Sequence, residues 1–157
     1  VFQDGTAGDA MSKNVYIYNN TFSGKDAFHL GGGNLSLVSI KNNIFNTTDN
    51  TAAFTKRAEV PYSAFVSNNN LYFSNINSTT TVLSDGVKKY SVVSFASTTG
   101  QEKFSFYGDP LFLDSATYDF RLQTSSPAKN QGVAPKIIKD FDGVLRNATT
   151  PSLGAFE

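Results

Sequence analysis

Ile17-Tyr18-Asn19-Asn20-Thr21-Phe22 matches Ile40-Lys41-Asn42-Asn43-Ile44-Phe45, and both match Val66-Ser67-Asn68-Asn69-Asn70-Leu71, at successive offsets of 23 and 26 residues. The shared pattern is aliphatic, any residue, Asn, Asn, any residue, apolar. A period of about 20 to 50 residues decides an architecture before local propensities do. Upstream of each copy runs an alternating stretch: Val15-Tyr16-Ile17-Tyr18, Leu35-Ser36-Leu37-Val38-Ser39-Ile40 and Tyr62-Ser63-Ala64-Phe65-Val66. Each repeat therefore predicts one strand, a tight Asn turn and a second short strand opened by Phe22, Phe45 or Leu71. A unit this short cannot bury its own apolar face and must stack on its neighbours. Stacking sets equivalent strands about 4.8 Å apart in parallel sheets. Each Asn amide can then donate to one neighbouring coil and accept from the other. The expected ladder is Asn19, Asn20, Asn42, Asn43, Asn68 and Asn69, with a less regular fourth coil around Tyr90 to Ala96.

Working outward, the 157 residues amount to one domain. Fifteen Asn, 17 Ser and 15 Thr, against 17% charged residues, favour strands and turns over helices. Fourteen Phe and 7 Tyr supply core material despite the absence of Trp. Thirteen basic side chains balance 13 acidic ones, so nothing marks the chain for nucleic acid, whose phosphates need clustered Lys and Arg. No apolar run is long enough to span a membrane, and no signal-peptide pattern opens the chain. The absence of Cys excludes a disulfide framework, a thiolate metal site and a Cys nucleophile.

Toward the C-terminus come Tyr107-Gly108-Asp109-Pro110-Leu111-Phe112-Leu113-Asp114, Asp119-Phe120-Arg121-Leu122, Ser126-Pro127-Ala128, Asp140-Phe141-Asp142-Gly143, Arg146 and Gly154-Ala155-Phe156-Glu157. This ending, with the three Asn-Asn coils, resembles the right-handed parallel β-helix family, which includes pectate lyases, alginate lyases and many bacterial surface proteins. The resemblance covers residues 13 to 74 and 104 to 157. It departs after Ser126-Pro127-Ala128, where Lys129-Asn130-Gln131-Gly132 stands in place of the usual acidic residue followed by a small one. It implies an all-β, right-handed parallel β-helix, a solenoid with an irregular C-terminal cap. Residues 1–103 would form the coils and 104–157 a closing segment packed on the same single domain. Phe112, Phe120, Leu122, Leu145 and Phe156 are expected to pack in that cap, with Arg121 and Arg146 pairing with Asp114, Asp119, Asp140 or Asp142. Enzymes of the family are longer and carry their grooves upstream of the closing segment. The chain, opening on Val1, thus reads as the C-terminal end of something larger.

The resemblance also implies a secreted, carbohydrate-active protein, a lyase on a uronate-containing polysaccharide. Elimination needs a cation to offset the substrate carboxylate and a base of lowered pKa. Lys56 and Arg57 are the candidate catalytic pair. Lys25, Asp26 and His29, in the loop one coil earlier, are the candidate substrate-binding residues. Ca2+ is the candidate cofactor, with Asp4 and Asp9 spaced for a loop but outside any EF-hand pattern, and no metal site is assigned. Gly31-Gly32-Gly33 lacks the Gly-Lys-Ser/Thr of a phosphate loop.

Sequons stand at Asn19, Asn34, Asn46, Asn77 and Asn147, of which Asn46, Asn77 and Asn147 have loop contexts suited to glycosylation in an extracellular or cell-surface setting. The alternative to an enzyme is a non-catalytic extracellular structural or adhesive subunit assembling through its solenoid ends, as a glycosylated filament. Its shortness and its lack of a basic stripe favour that alternative. A third reading is a carbohydrate-binding module with Tyr16, Tyr18, Tyr62 or Tyr72 as stacking platforms. An uncovered N-terminal edge would aggregate, so further coils or another subunit are expected there.

Overall fold

The computed structural model describes residues 2–3, 12–31, 35–76, 82–134 and 136–157. The first pass of chain runs β1 (Phe2–Gln3), β2 (Ser12–Lys13), β3 (Tyr16–Tyr18), β4 (Thr21–Gly24) and β5 (Phe28–Gly31). The second runs β6 (Leu35–Ser36), β7 (Val38–Lys41), β8 (Ile44–Thr47) and β9 (Phe54–Lys56). The third, after a short 3-10 turn at Tyr62–Ala64, runs β10 (Phe65–Asn68), β11 (Leu71–Ser74) and β12 (Leu83–Ser84). Then come β13 (Lys89–Tyr90), helix α1 (Val92–Thr99), β14 (Phe106–Tyr107), β15 (Phe112–Asp114) and β16 (Asp119–Leu122).

Equivalent strands of successive passes pair in parallel. One sheet has the order β10-β7-β3, a second β14-β11-β8-β4, and a third β1-β5-β9-β12-β13, in which only β12 and β13 pair antiparallel. β2 pairs with β6 in parallel, and β15 with β16 as an antiparallel hairpin. The chain is thus mostly β and visits three parallel sheets in turn.

The sheets enclose an aromatic core. Phe22 stacks on Phe45 at 5.2 Å and Phe45 on Tyr72 at 5.1 Å, one ring from each pass, while Phe28 stacks on Phe54 at 5.5 Å. Such pairs add about 0.5–1.5 kcal/mol each beyond the area they bury. The register is Phe22↔Phe45↔Tyr72, with Thr21↔Ile44↔Leu71 beside it. That register corrects the repeat: Asn43 aligns with Asn70, 27 residues on, and Ile40 with Ser67.

Two further expectations change. Where a fourth coil was expected at Tyr90 to Ala96, the chain forms α1, and the fourth strand of the second sheet is β14. Ser91 caps α1 by accepting from the Ser94 N–H, and Gly100, at φ 76°, ends it. The helix buries Val92 and Phe95, with Phe95 edge-on to Tyr62 at 6.0 Å and Tyr90 at 5.5 Å.

The closing segment lies along the outer face of the second sheet. Leu122, Ala128 and Leu153 pack on Ile44 and Leu71 in a second apolar cluster. The Gly154 N–H donates to Asn42 O at 2.8 Å, and a Cβ at Gly154 would stand 2.7 Å from Ile44 Cδ1. Of the expected packing residues, Leu122 is buried, Phe112, Phe120 and Phe156 are half-buried, and Leu145 is exposed. Arg121 pairs with Asp142 at 2.7 Å and Asp119 at 3.2 Å. Arg146 instead reaches Glu157 at 3.5 Å and donates to the carbonyls of Ser152, Gly154 and Ala155, while burial pushes its pKa down.

Candidate functional site

The Asn pairs divide their labour. Asn19, Asn42 and Asn69 hold left-handed φ of 53°, 58° and 55°, a conformation that Asn tolerates better than most residues. The residue after each supplies the rung. Asn20 Nδ2 donates to Asn43 Oδ1 at 3.2 Å, and Asn43 Nδ2 donates to Asn70 Oδ1 at 3.1 Å. The same oxygens accept from the Asn20 and Asn43 backbone N–H groups, both at 2.9 Å. Asn68 takes no rung: its Oδ1 accepts from the backbone N–H of Asn69 and of Phe104. Asn19 and Asn42 make a longer rung of their own, Asn42 Nδ2 donating to Asn19 Oδ1 at 3.4 Å, and also face the closing segment, Asn19 Nδ2 donating to Ser152 O and Asn42 exchanging two hydrogen bonds with Val133.

At the far end of the ladder lies a group that sequence reasoning passed over. Glu102 is 1% exposed and accepts from Tyr72 Oη at 2.7 Å, Asn70 Nδ2 at 3.2 Å, and the hydroxyls of Ser67 and Ser105. Burial raises its pKa, and the four donors oppose that rise. Burial and the neighbouring Glu102 carboxylate together push the Tyr72 hydroxyl well up. Ser105 takes the next rung, its Oγ accepting from the Asn70 N–H at 2.8 Å. The one signal available was an acid two residues ahead of the alternating Phe104-Ser105-Phe106.

The candidate catalytic pair is split. Lys56 is buried, and its Nζ donates to Val60 O at 2.7 Å, Arg57 O at 2.9 Å and Ala58 O at 3.5 Å, 4.8 Å over the Tyr62 ring. Burial lowers its pKa, as a base requires, against the opposing charges of Asp85 and Glu59. All three of its N–H directions nevertheless end on the loop that follows β9. Arg57 is exposed and lays its aliphatic stem over Gly31, where a Cβ would stand 2.9 Å from Arg57 Cδ. Lys25 and Asp26 are exposed in the turn before β5. His29 Nε2 sits 3.5 Å from Asp26 Oδ1 and lacks a hydrogen bond. Asp26, His29 and Arg57 thus share the outer side of the third sheet, and Lys56 does not join them.

Among the tyrosines, Tyr72 is fully buried, and Tyr62 packs against Phe65 and Phe95 with its pKa raised to about 12, chiefly by burial. Tyr16 and Tyr18 face outward on β3. The Lys136 ammonium covers the Tyr16 ring at 3.7 Å, and Tyr18 Oη donates to Ser39 Oγ at 2.7 Å. Asn46 is 1% exposed and its Nδ2 donates to Ser23 Oγ, whereas Asn147 is exposed in an Asx turn closed by the Thr149 and Thr150 N–H groups. Asn34, Asn77, Asp4 and Asp9 lie outside the described residues. Among the described residues, no group of three or more His, Asp or Glu stands close enough to hold a metal ion.

The outer face of the first sheet carries the arrangement best suited to a ligand. A shallow groove of about 450 Å3 is lined by Lys41, Val66, Asn68, Asn69, Phe104 and Val133. Phe104 is 72% and Val66 54% exposed. Among the described residues the Lys41 ammonium makes no hydrogen bond or ion pair. Aromatic face, amides and a free cation together fit a sugar ring bearing a carboxylate. No protein-family model and no curated protein matches the chain.

Proposed function

We propose that the chain is part of an extracellular right-handed parallel β-helix that binds a uronate-containing polysaccharide without cleaving it. The winding is supported by the order in which the chain visits its three parallel sheets. Binding is supported by one observation above all: the free Lys41 ammonium lies in the same groove as the exposed Phe104 ring. A sugar ring stacks on Phe104, its carboxylate pairs with Lys41, and the Asn68 and Asn69 side chains meet its hydroxyls. Binding in preference to turnover is supported by Lys56, whose donors are spent on the carbonyls of Arg57, Ala58 and Val60.

The test is retention of the protein on polygalacturonate and alginate columns, with ultraviolet detection of unsaturated product. Phe104→Ala and Lys41→Ala should each weaken retention about tenfold, and no product should accumulate. Absence of retention at low salt overturns the reading, as does unsaturated product whose rate falls on Arg57→Ala. Assembly is the second reading, favoured by β3 and β4, which form the edges of their sheets among the described residues. Concentration-dependent sedimentation that a Phe22→Lys substitution abolishes would put it first.

A further inference from the structure

A second concavity opens where the outer face of the second sheet meets the C-terminal hairpin. Its volume is about 300 Å3, and Asn46, Phe73, Asn75, Asp109, Phe112 and Gln123 line it. Ligand cavities run from roughly 300 to 1,000 Å3, so this one suits a single ring and not a chain. Two features distinguish it from a packing gap. Asn46, on β8 between Ser23 and Phe73 in register, is 1% exposed and spends Nδ2 on Ser23 Oγ at 3.0 Å, which leaves Oδ1 without a partner. Exchanging the two amide atoms would satisfy Ser23 equally and orphan the nitrogen instead, so in either assignment one buried polar atom has no partner within the described residues. Asp109 supplies the second feature. Its Oδ1 closes a turn by accepting from the Leu111 N–H at 2.9 Å, and the other carboxylate oxygen has no hydrogen bond among the described residues.

We infer that this cavity binds one neutral hexopyranose residue, a site separate from the proposed uronate groove and independent of it. The ring lies between the half-buried Phe73 and Phe112, whose faces accept the apolar C–H side of a pyranose. One hydroxyl donates to Asn46 Oδ1 and another to the Asp109 carboxylate, while Asn75 and Gln123 offer amides at the rim. A carboxylate in the wall, with no Lys or Arg in the lining, selects an uncharged sugar and rejects a uronate.

The test is a titration of isotopically labelled protein with methyl glucoside, methyl galactoside and methyl mannoside, and with the matching methyl uronides, followed through the side-chain amide signals of Asn46, Asn75 and Gln123. The expected result is a saturable shift of these signals with at least one neutral glycoside, and at least tenfold weaker binding of the uronide of the same configuration. Asp109→Asn keeps the turn, because an amide oxygen also accepts from the Leu111 N–H, and should weaken the neutral sugar about tenfold while erasing the discrimination against the uronide. Asn46→Ser, which shortens the buried side chain, should abolish the shifts at Asn75 and Gln123. No saturable shift with any glycoside overturns the inference, and so does tighter binding of the uronide. Shifts confined to Asn68 and Asn69 overturn it while leaving the groove reading standing, and neutral-glycoside shifts confined to Asn46, Asn75 and Gln123 support it whether or not the groove binds a uronide.

Discussion

Removing the middle rung of the Asn ladder tests the register and the energetics together. Asn43 makes four side-chain hydrogen bonds: it accepts from the Asn20 N–H and Nδ2, and donates to Ile17 O at 2.8 Å and to Asn70 Oδ1. In Asn43→Ala the Asn20 N–H and the Ile17 carbonyl lose their partners, while Asn70 Oδ1 keeps the Asn43 N–H. An unpaired buried group costs about 1–3 kcal/mol and these two are part-buried, so the variant should lose about 2 kcal/mol. With a urea slope of about 2 kcal/mol per M, the unfolding midpoint moves down by about 1 M. Asn70→Ala should cost about as much, since it strips donors from Glu102 and from Ile40 O. Asn68→Ala, which removes only an acceptor for the partly exposed N–H groups of Asn69 and Phe104, should cost less than about 1 kcal/mol. Urea denaturation followed by circular dichroism reads all three. A loss in Asn68→Ala equal to that in Asn70→Ala would refute the register and the argument built on it.

Glu102 gives a pH signature. Its folded-state pKa lies above its ordinary value of 4.5, so the native state holds the proton longer than the unfolded chain does. The stability it contributes is complete below about pH 4.5 and is lost as pH rises through the raised folded value; melting temperatures across that range should show the decline, and Glu102→Gln should flatten it. Lys56→Met should cost about 1–3 kcal/mol, because three loop carbonyls lose a donor, whereas Arg57→Ala should change stability by less than about 0.5 kcal/mol, both read from urea midpoints. Gly154→Ala, at φ 84° and with a Cβ 2.7 Å from both Ile44 Cδ1 and Thr21 Oγ1, should destabilise by about 2 kcal/mol or more and open the closing segment to limited proteolysis ahead of the sheets.

The periodic part of the fold was legible because its signals are local: the Asn turns, the strand alternation and one apolar residue after each turn all sit within a few residues of each other. The third register was not, since Asn68-Asn69-Asn70 admits two frames and Val66 looks like the counterpart of Ile40. Val66 in fact points to solvent, and the inward position belongs to Ser67, a polar residue tolerated there because Glu102 arrives from 35 residues away to bond it. The candidate site was legible in its residue types and not in its directions. Lys56 ends a strand whose alternation turns Phe54 and Lys56 inward together, which separates it from Arg57. The groove escaped notice because Phe104 and Val133 come from segments that meet only through the path of the closing segment.

That path has a consequence for how the protein is made. The passes bond to one another across 23 to 27 residues, and so can assemble as each emerges during synthesis. The closing segment instead reaches back across 91 residues from Val133 to Asn42, 133 from Ser152 to Asn19 and 134 from Ala155 to Thr21. Contacts of such separation form late, after the loop-closure entropy has been met. Until Leu122, Ala128 and Leu153 dock, Ile44 and Leu71 present an apolar strip to water, and a chain clipped ahead of them keeps presenting it. Docking of Leu153 and Gly154 therefore distinguishes a covered second sheet from an open one, and chaperones or proteases that recognise exposed apolar surface have a physical basis for telling the two apart.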